Sequence, residues 1–122
     1  MNYTTVLSEW LHRELKKTFG ADATVSPLAT RQEVSGPYVL YDSIELQRER
    51  TKDGSYPVAV TARILVVDKS YDSAEILADA VEAVLLDSVI PSMGDIDVTA
   101  RRSDFDPSTA EFLEEIRISV DL

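Results

Sequence analysis

The chain holds one histidine, His12, and no cysteine, and those two counts remove most of the chemistry a small protein can carry. Without thiols there is no disulfide, no thiolate nucleophile and no sulfur-ligated metal. With a single imidazole the common zinc sites cannot be assembled either. A catalytic histidine is normally oriented by a third group; His12 falls on a helix beside its apolar stripe, where a partly exposed imidazole needs no partner. The glycines at 20, 36, 54 and 94 are scattered. Neither a phosphate-cradling loop nor a dinucleotide fingerprint can be written on them, and no G-x-S-x-G elbow occurs.

Carboxylates are abundant, with 22 acidic residues against 12 basic ones. In Ser103-Asp104-Phe105-Asp106 two carboxylates stand two residues apart, a spacing that could touch one cation. The same residues precede Pro107 between two strands, where Asp side chains brace turns, and the segment lacks the Gly and distal Glu of a calcium loop. Both readings stand, the turn and a weak cation site. Asp95 and Asp97 share a strand face with no third ligand in sight. No catalytic, cofactor-binding or metal-binding residue is assigned, and the chain reads as non-enzymatic.

A net charge of −10 repels nucleic acid and anionic membranes, so tight DNA or RNA binding is not expected. No stretch reaches the ~20 apolar residues that span a bilayer. The N-terminus, Met1-Asn2-Tyr3-Thr4-Thr5, lacks the basic and apolar regions of a signal peptide. The chain is therefore expected to be made and used in the cytoplasm, or in something assembled there.

Periodicity predicts one α+β domain over residues 1–122. A first helix runs from about Thr4 to Phe19, with Leu7, Trp10, Leu11, Leu15 and Phe19 on one stripe and Gly20 as its stop. Thr24 to Leu28 is a possible edge strand that Pro27 limits, and Ala29 to Gly36 reads as a loop. From Pro37 a strand puts Tyr38, Leu40, Ile44 and Leu46 on one face. An Asp-Gly turn in Lys52-Asp53-Gly54-Ser55 returns it as a strand from Tyr56 to Val67. The second helix starts near Asp72 or Ser73, with Asp72 and Glu75 at capping-box spacing. Its expected buried stripe is Ile76, Leu77, Ala80, Val81, Val84 and Leu85. Two final strands, around Ile96–Arg101 and up to Leu122, flank a turn at Asp104–Ser108. The order is α-(β)-β-β-α-β-β, an antiparallel sheet with both helices on one face.

Two features point to protein partners. The hairpin tip from Glu45 to Ser55 carries Arg48, Arg50 and Lys52 on an otherwise acidic chain, which suits docking on an acidic neighbour; a merely solvated hairpin is the plain alternative. On the far face of the central strands, alternation places Val39, Tyr41, Leu65 and Val67, an apolar patch of the kind that marks a subunit contact unless the sheet bends over it. These seven residues are the candidate interface.

Four strings, taken in order, resemble the small tail-terminator and tail-completion proteins of long-tailed phages and prophages, the lambda-type minor tail protein group. They are Val25-Ser26-Pro27-Leu28, Pro37-Tyr38-Val39-Leu40-Tyr41, Tyr71-Asp72-Ser73-Ala74-Glu75 running on through Leu77-Ala78-Asp79-Ala80-Val81, and Phe105-Asp106-Pro107 through Arg117-Ile118-Ser119-Val120. The resemblance spans nearly the whole chain, and the long charged hairpin tip departs from it. It implies a virion subunit, assembled in the bacterial cytoplasm, that forms a ring, typically a hexamer, on the head-proximal end of the tail tube. Its partners would be further copies of itself, the tail tube protein and the head connector, with DNA only passing through the lumen. It implies no catalytic residue and no cofactor. Another head–tail joining protein and a stand-alone bacterial binding module remain the alternatives.

Overall fold

The computed structural model describes residues 2–28 and 36–122; of the loop expected from Ala29 to Gly36, residues 29–35 lie outside the described residues. Helix α1 spans Tyr3–Phe19, one residue longer at its start than the periodicity suggests. Asn2 caps it, its Oδ1 accepting from Thr5 N at 3.2 Å, which satisfies one of the free amides of the first turn. Lys16 and Lys17 lie in the last turn, where a cation offsets the carbonyl end of the helix dipole. Leu7, Leu11 and Leu15 are fully buried, and each such side chain contributes roughly 1.5–3 kcal/mol by leaving water.

Strands β1 (Thr24–Pro27), β2 (Tyr38–Thr51), β3 (Gly54–Asp68), β4 (Ile96–Asp106) and β5 (Glu111–Asp121) form one sheet in the order β1-β2-β3-β5-β4. Helix α2 (Tyr71–Leu86) links β3 to β4. The fold class is α+β as read from the sequence, and β2–β3, β3–β5 and β4–β5 are antiparallel. The sheet is nevertheless mixed, because β1 runs parallel to β2, with Thr24 beside Tyr38 and Pro27 beside Tyr41. Only a short turn dictates an antiparallel return; the residues between these two strands left their direction open. As expected of a proline-bearing strand, β1 is an edge.

Both helices bury one face of this sheet. Their stripes meet Val39, Tyr41, Val60, Ala62, Ile64, Val66, Ile116, Ile118 and Val120 in one apolar cluster. Here the sequence expectation for β2 is inverted. Val39 and Tyr41 point toward the helices with Ile44 and Leu46, while Tyr38 and Leu40 point away. The cause is a bulge between Asp42 and Glu45, where Ser43 takes a left-handed φ of 52°. One extra residue reverses the alternation beyond it.

Two helix details also differ. The cap of α2 is Ser70, whose hydroxyl accepts from Ser73 N, so Asp72 belongs to the first turn. The buried residues are Ala74, Ala78, Val81 and Leu85, a stripe turned about one residue from the expected one, which leaves Ile76 and Ala80 exposed. Small alanines let the helix lie close to the sheet, so the larger Ile76 is displaced outward. At the other end β4 continues to Asp106, and the turn occupies Pro107–Ala110 instead of Asp104–Ser108. Phe105 is thereby in the strand, opposite Phe112.

Candidate interaction surface

The β2–β3 hairpin outruns the rest of the sheet. β1 reaches only Tyr41, and β5 pairs with β3 no further than Ala59. Beyond that point the hairpin is a two-stranded arm. Its residues 47–56 are all exposed. A second register shift, between Gln47 and Arg48, sets the arm off from the sheet and adds local twist. Lys52 and Asp53 form a two-residue turn, closed by Gly54 at φ 125°, a conformation that strains any residue with a Cβ. Thr51 Oγ1 accepts from Asp53 N at 3.3 Å and steadies the turn.

Cross-strand register sorts the arm's side chains. Arg48 faces Pro57 and Arg50 faces Ser55, whereas Glu49 faces Tyr56. Directly paired residues share a sheet face, so both arginines lie on one side and Glu49 on the other. There the Tyr56 hydroxyl donates to Glu49 Oε2 at 3.0 Å. Arg48, Arg50 and Lys52 have no ion-pair partner among the described residues. The three basic candidates are thus together, exposed and unneutralised.

The apolar candidates are placed differently. Val39 and Tyr41 are in the helix-facing core. Tyr41 donates or accepts through its hydroxyl at His12 Nδ1, 3.1 Å away, with the rings in edge contact at 6.0 Å. That contact gives His12 a structural role, and burial pushes the Tyr41 phenol above its ordinary pKa. Leu65 and Val67 do lie on the far face, but at 9% and 1% exposure they are buried with Tyr38, Leu40, Leu28 and Leu113 in a second small cluster. None of the four presents an open patch.

Next to that cluster the far face is charged. Arg63 binds both Asp42 oxygens and donates to Glu115 Oε1 at 3.1 Å, while Arg117 Nε reaches Glu115 Oε2 at 3.2 Å. The Asp42 carboxylate first, and Glu115 with it, holds the Arg63 guanidinium more firmly protonated than usual despite burial. Burial alone would raise the Glu115 carboxyl; hydrogen bonds from Arg63 and Arg117 outweigh it and lower the pKa. The hollow bounded by Arg63, Leu65, Arg102, Asp104, Leu113 and Glu115 is about 180 Å³. Small-molecule sites run from about 300 to 1,000 Å³, and the charged walls here already pair with one another.

Sequence reasoning missed a second network on the helix face. Glu114 is 3% exposed; it accepts from Ser103 Oγ at 2.6 Å and lies 3.5 Å from Arg101. Arg101 also reaches Asp79 at 3.1 Å and Glu82 at 2.5 Å on α2. Burial works against the Arg101 charge, and the bonds to Glu82 and Asp79 overcome it, so its pKa is raised. The signal was present: Glu114 is in phase with Ile116 and Ile118, and a carboxylate in a buried row needs a cation.

Among the described residues no three His, Cys, Asp or Glu side chains converge as a metal site. Asp106 Oδ1 accepts from the Ser108 amide at 2.9 Å and its hydroxyl at 2.7 Å. The Ser108 bonds lower its carboxyl pKa, and they make Asp106 the brace of the turn.

Apolar side chains are exposed elsewhere, along α2 and its exit. Ile76 is 71% exposed and Val89 79%, and Leu86 and Tyr71 are also open. Tyr71 meets the edge of Phe112 at 5.8 Å, and Phe112 lies 4.8 Å from half-exposed Phe105.

No protein-family model matches the chain, and no curated protein matches its sequence. Solved structures do match. One is a chain of the "Virion of native gene transfer agent (GTA) particle", which superposes with a TM-score of 0.67 over 91% of this chain and 92% of that one, at 14% identity. At that identity the likeness establishes a shared fold.

Proposed function

We propose that the chain is a structural subunit of a phage-like virion, and more specifically a tail-terminator subunit that caps the head-proximal end of the tail tube as a ring. The observation that carries the proposal is the superposition on a virion chain over almost the full length of both. It accords with the tail-terminator resemblance of the four strings named above. The proposal takes the subunit to act by surface complementarity, without catalysis. The arrangement of the arm supports that reading: among the described residues its backbone edges are unpaired and its three cations have no ion-pair partner, which suits it to engage another surface.

A ring of identical subunits needs heterologous contacts, in which one patch meets a different patch on the next copy. The separation of the basic arm from the acidic body supplies two such unlike patches. Native mass spectrometry over a wide concentration range tests the ring directly. A closed species of about six copies supports it; an isologous dimer as the terminal species would refute it.

A further inference from the structure

We infer that the outward face of α2 is the seat of the β2–β3 arm of a neighbouring copy. The inference rests on the ring reading in that it requires copies of this chain to associate head to tail. Three separate observations lead to it.

First, α2 exposes apolar surface that nothing in the described chain covers. Ile76, Ala80 and Ala83 recur at helical spacing on the side away from the sheet, and Leu86 and Val89 follow. A face of this kind is unusual on a charged protein unless another surface meets it. Second, α2 carries no basic residue, and Asp72, Glu75, Asp79 and Glu82 form a row beside the apolar strip. Arg101 neutralises part of that row through Asp79 and Glu82; Asp72 and Glu75 have no ion-pair partner among the described residues. Third, the arm places Arg48 and Arg50 together on one face, with its one strand-borne acid, Glu49, turned to the other and bonded to Tyr56.

The spacings agree. Arg48 and Arg50 are two strand residues apart, about 6.8 Å, and Glu75 and Asp79 are one helical step of four apart, about 6 Å. Two guanidinium groups can therefore meet two successive carboxylates while Ser55 and Pro57, on the same arm face, lie over the small side chains of Ala80 and Ala83. Charge alone would be weak at a solvated surface. The apolar strip beside the acidic row is what excludes water and strengthens the pairs.

The absence of cysteine makes the test clean. Ser55→Cys places one thiol on the arm's basic face and Ala83→Cys places one on α2, both at exposed positions. Mixing the two full-length variants, one affinity-tagged, under mild oxidation should yield the arm–helix heterodimer at about tenfold the rate of either homodimer. Arg48→Glu with Arg50→Glu in the arm variant should remove that excess. Adding Glu75→Lys with Asp79→Lys to the helix variant should restore it. An oxidised mixture with no heterodimer excess, or a reversed arm that cross-links as fast as the original, would overturn the contact. Native mass of the same samples separates the two failures: a closed oligomer without the cross-link refutes the arm–helix contact alone, and a monomer without it refutes the ring as well.

Discussion

Replacing Arg101 by methionine tests how the second helix is fastened to the sheet. Arg101 joins α2, β4 and β5 by meeting Asp79 at 3.1 Å, Glu82 at 2.5 Å and Glu114 at 3.5 Å. Methionine keeps much of the apolar stem, so packing changes little and the loss is largely electrostatic. The exposed Asp79 contact contributes about 0–1 kcal/mol. The partly buried Glu82 bond, charged on both sides, is worth about 1.5 kcal/mol. Glu114 is the decisive term, because the substitution leaves it buried with the Ser103 hydroxyl as its one remaining side-chain partner among the described residues. Breaking a fully buried pair costs about 3–5 kcal/mol; at 3.5 Å the Arg101 contact is a weak one, so about 1–2 kcal/mol is the apt figure. The total is about 3 kcal/mol, a drop of about 10 °C in the melting temperature of a domain this size. Thermal unfolding followed by circular dichroism reads it. Adding Glu114→Gln should recover about 1 kcal/mol, since the amide keeps the Ser103 bond without a buried charge. A loss below about 1 kcal/mol, or no recovery in the double variant, would refute the view that Arg101 neutralises a buried carboxylate.

Three further outcomes are expected. Leu65→Ala should cost about 2–4 kcal/mol in urea unfolding, because Leu65 fills the second apolar cluster; a change below about 0.5 kcal/mol would show an open side chain instead. Ser43→Gly should leave stability unchanged or raise it by up to about 1 kcal/mol, since the left-handed φ of 52° is costly for serine, whereas Ser43→Val should lower it. The lowered carboxyl of Glu115 means the unfolded chain takes up that proton at higher pH than the folded one. Its contribution is thus fully present above the ordinary glutamate value and is lost as pH falls through the lowered one. Glu115→Gln should be less stable than the parent at neutral pH and should converge with it in acid, and parallel pH curves would contradict that assignment.

The first helix was legible because five large apolar residues recur at three- and four-residue steps with polar residues between them. The second was less so. Apolar residues occur on both its sides, so the expected stripe followed the large Ile76 instead of the small Ala74 and Ala78 that meet the sheet. For β2 the alternation was real, but Ser43 gives no advance sign of a bulge, and one extra residue exchanged the faces of Val39 and Tyr41 for those of Tyr38 and Leu40. The arm was legible as charge and turn chemistry. That it stands beyond the sheet depends on where β1 and β5 end, and pairing range is a tertiary property no local window carries. Leu65 and Val67 were rightly put on the far face; their burial there depends on what packs over them.

The central claim is a place in a particle, and locating the chain there tests it most directly. Particles released by the cells that encode it would be purified and labelled with gold-conjugated antibody for electron microscopy. Label confined to a single site at the junction of head and tail is the predicted result. Label along the whole tail, over the head shell, or on no particle at all would contradict it.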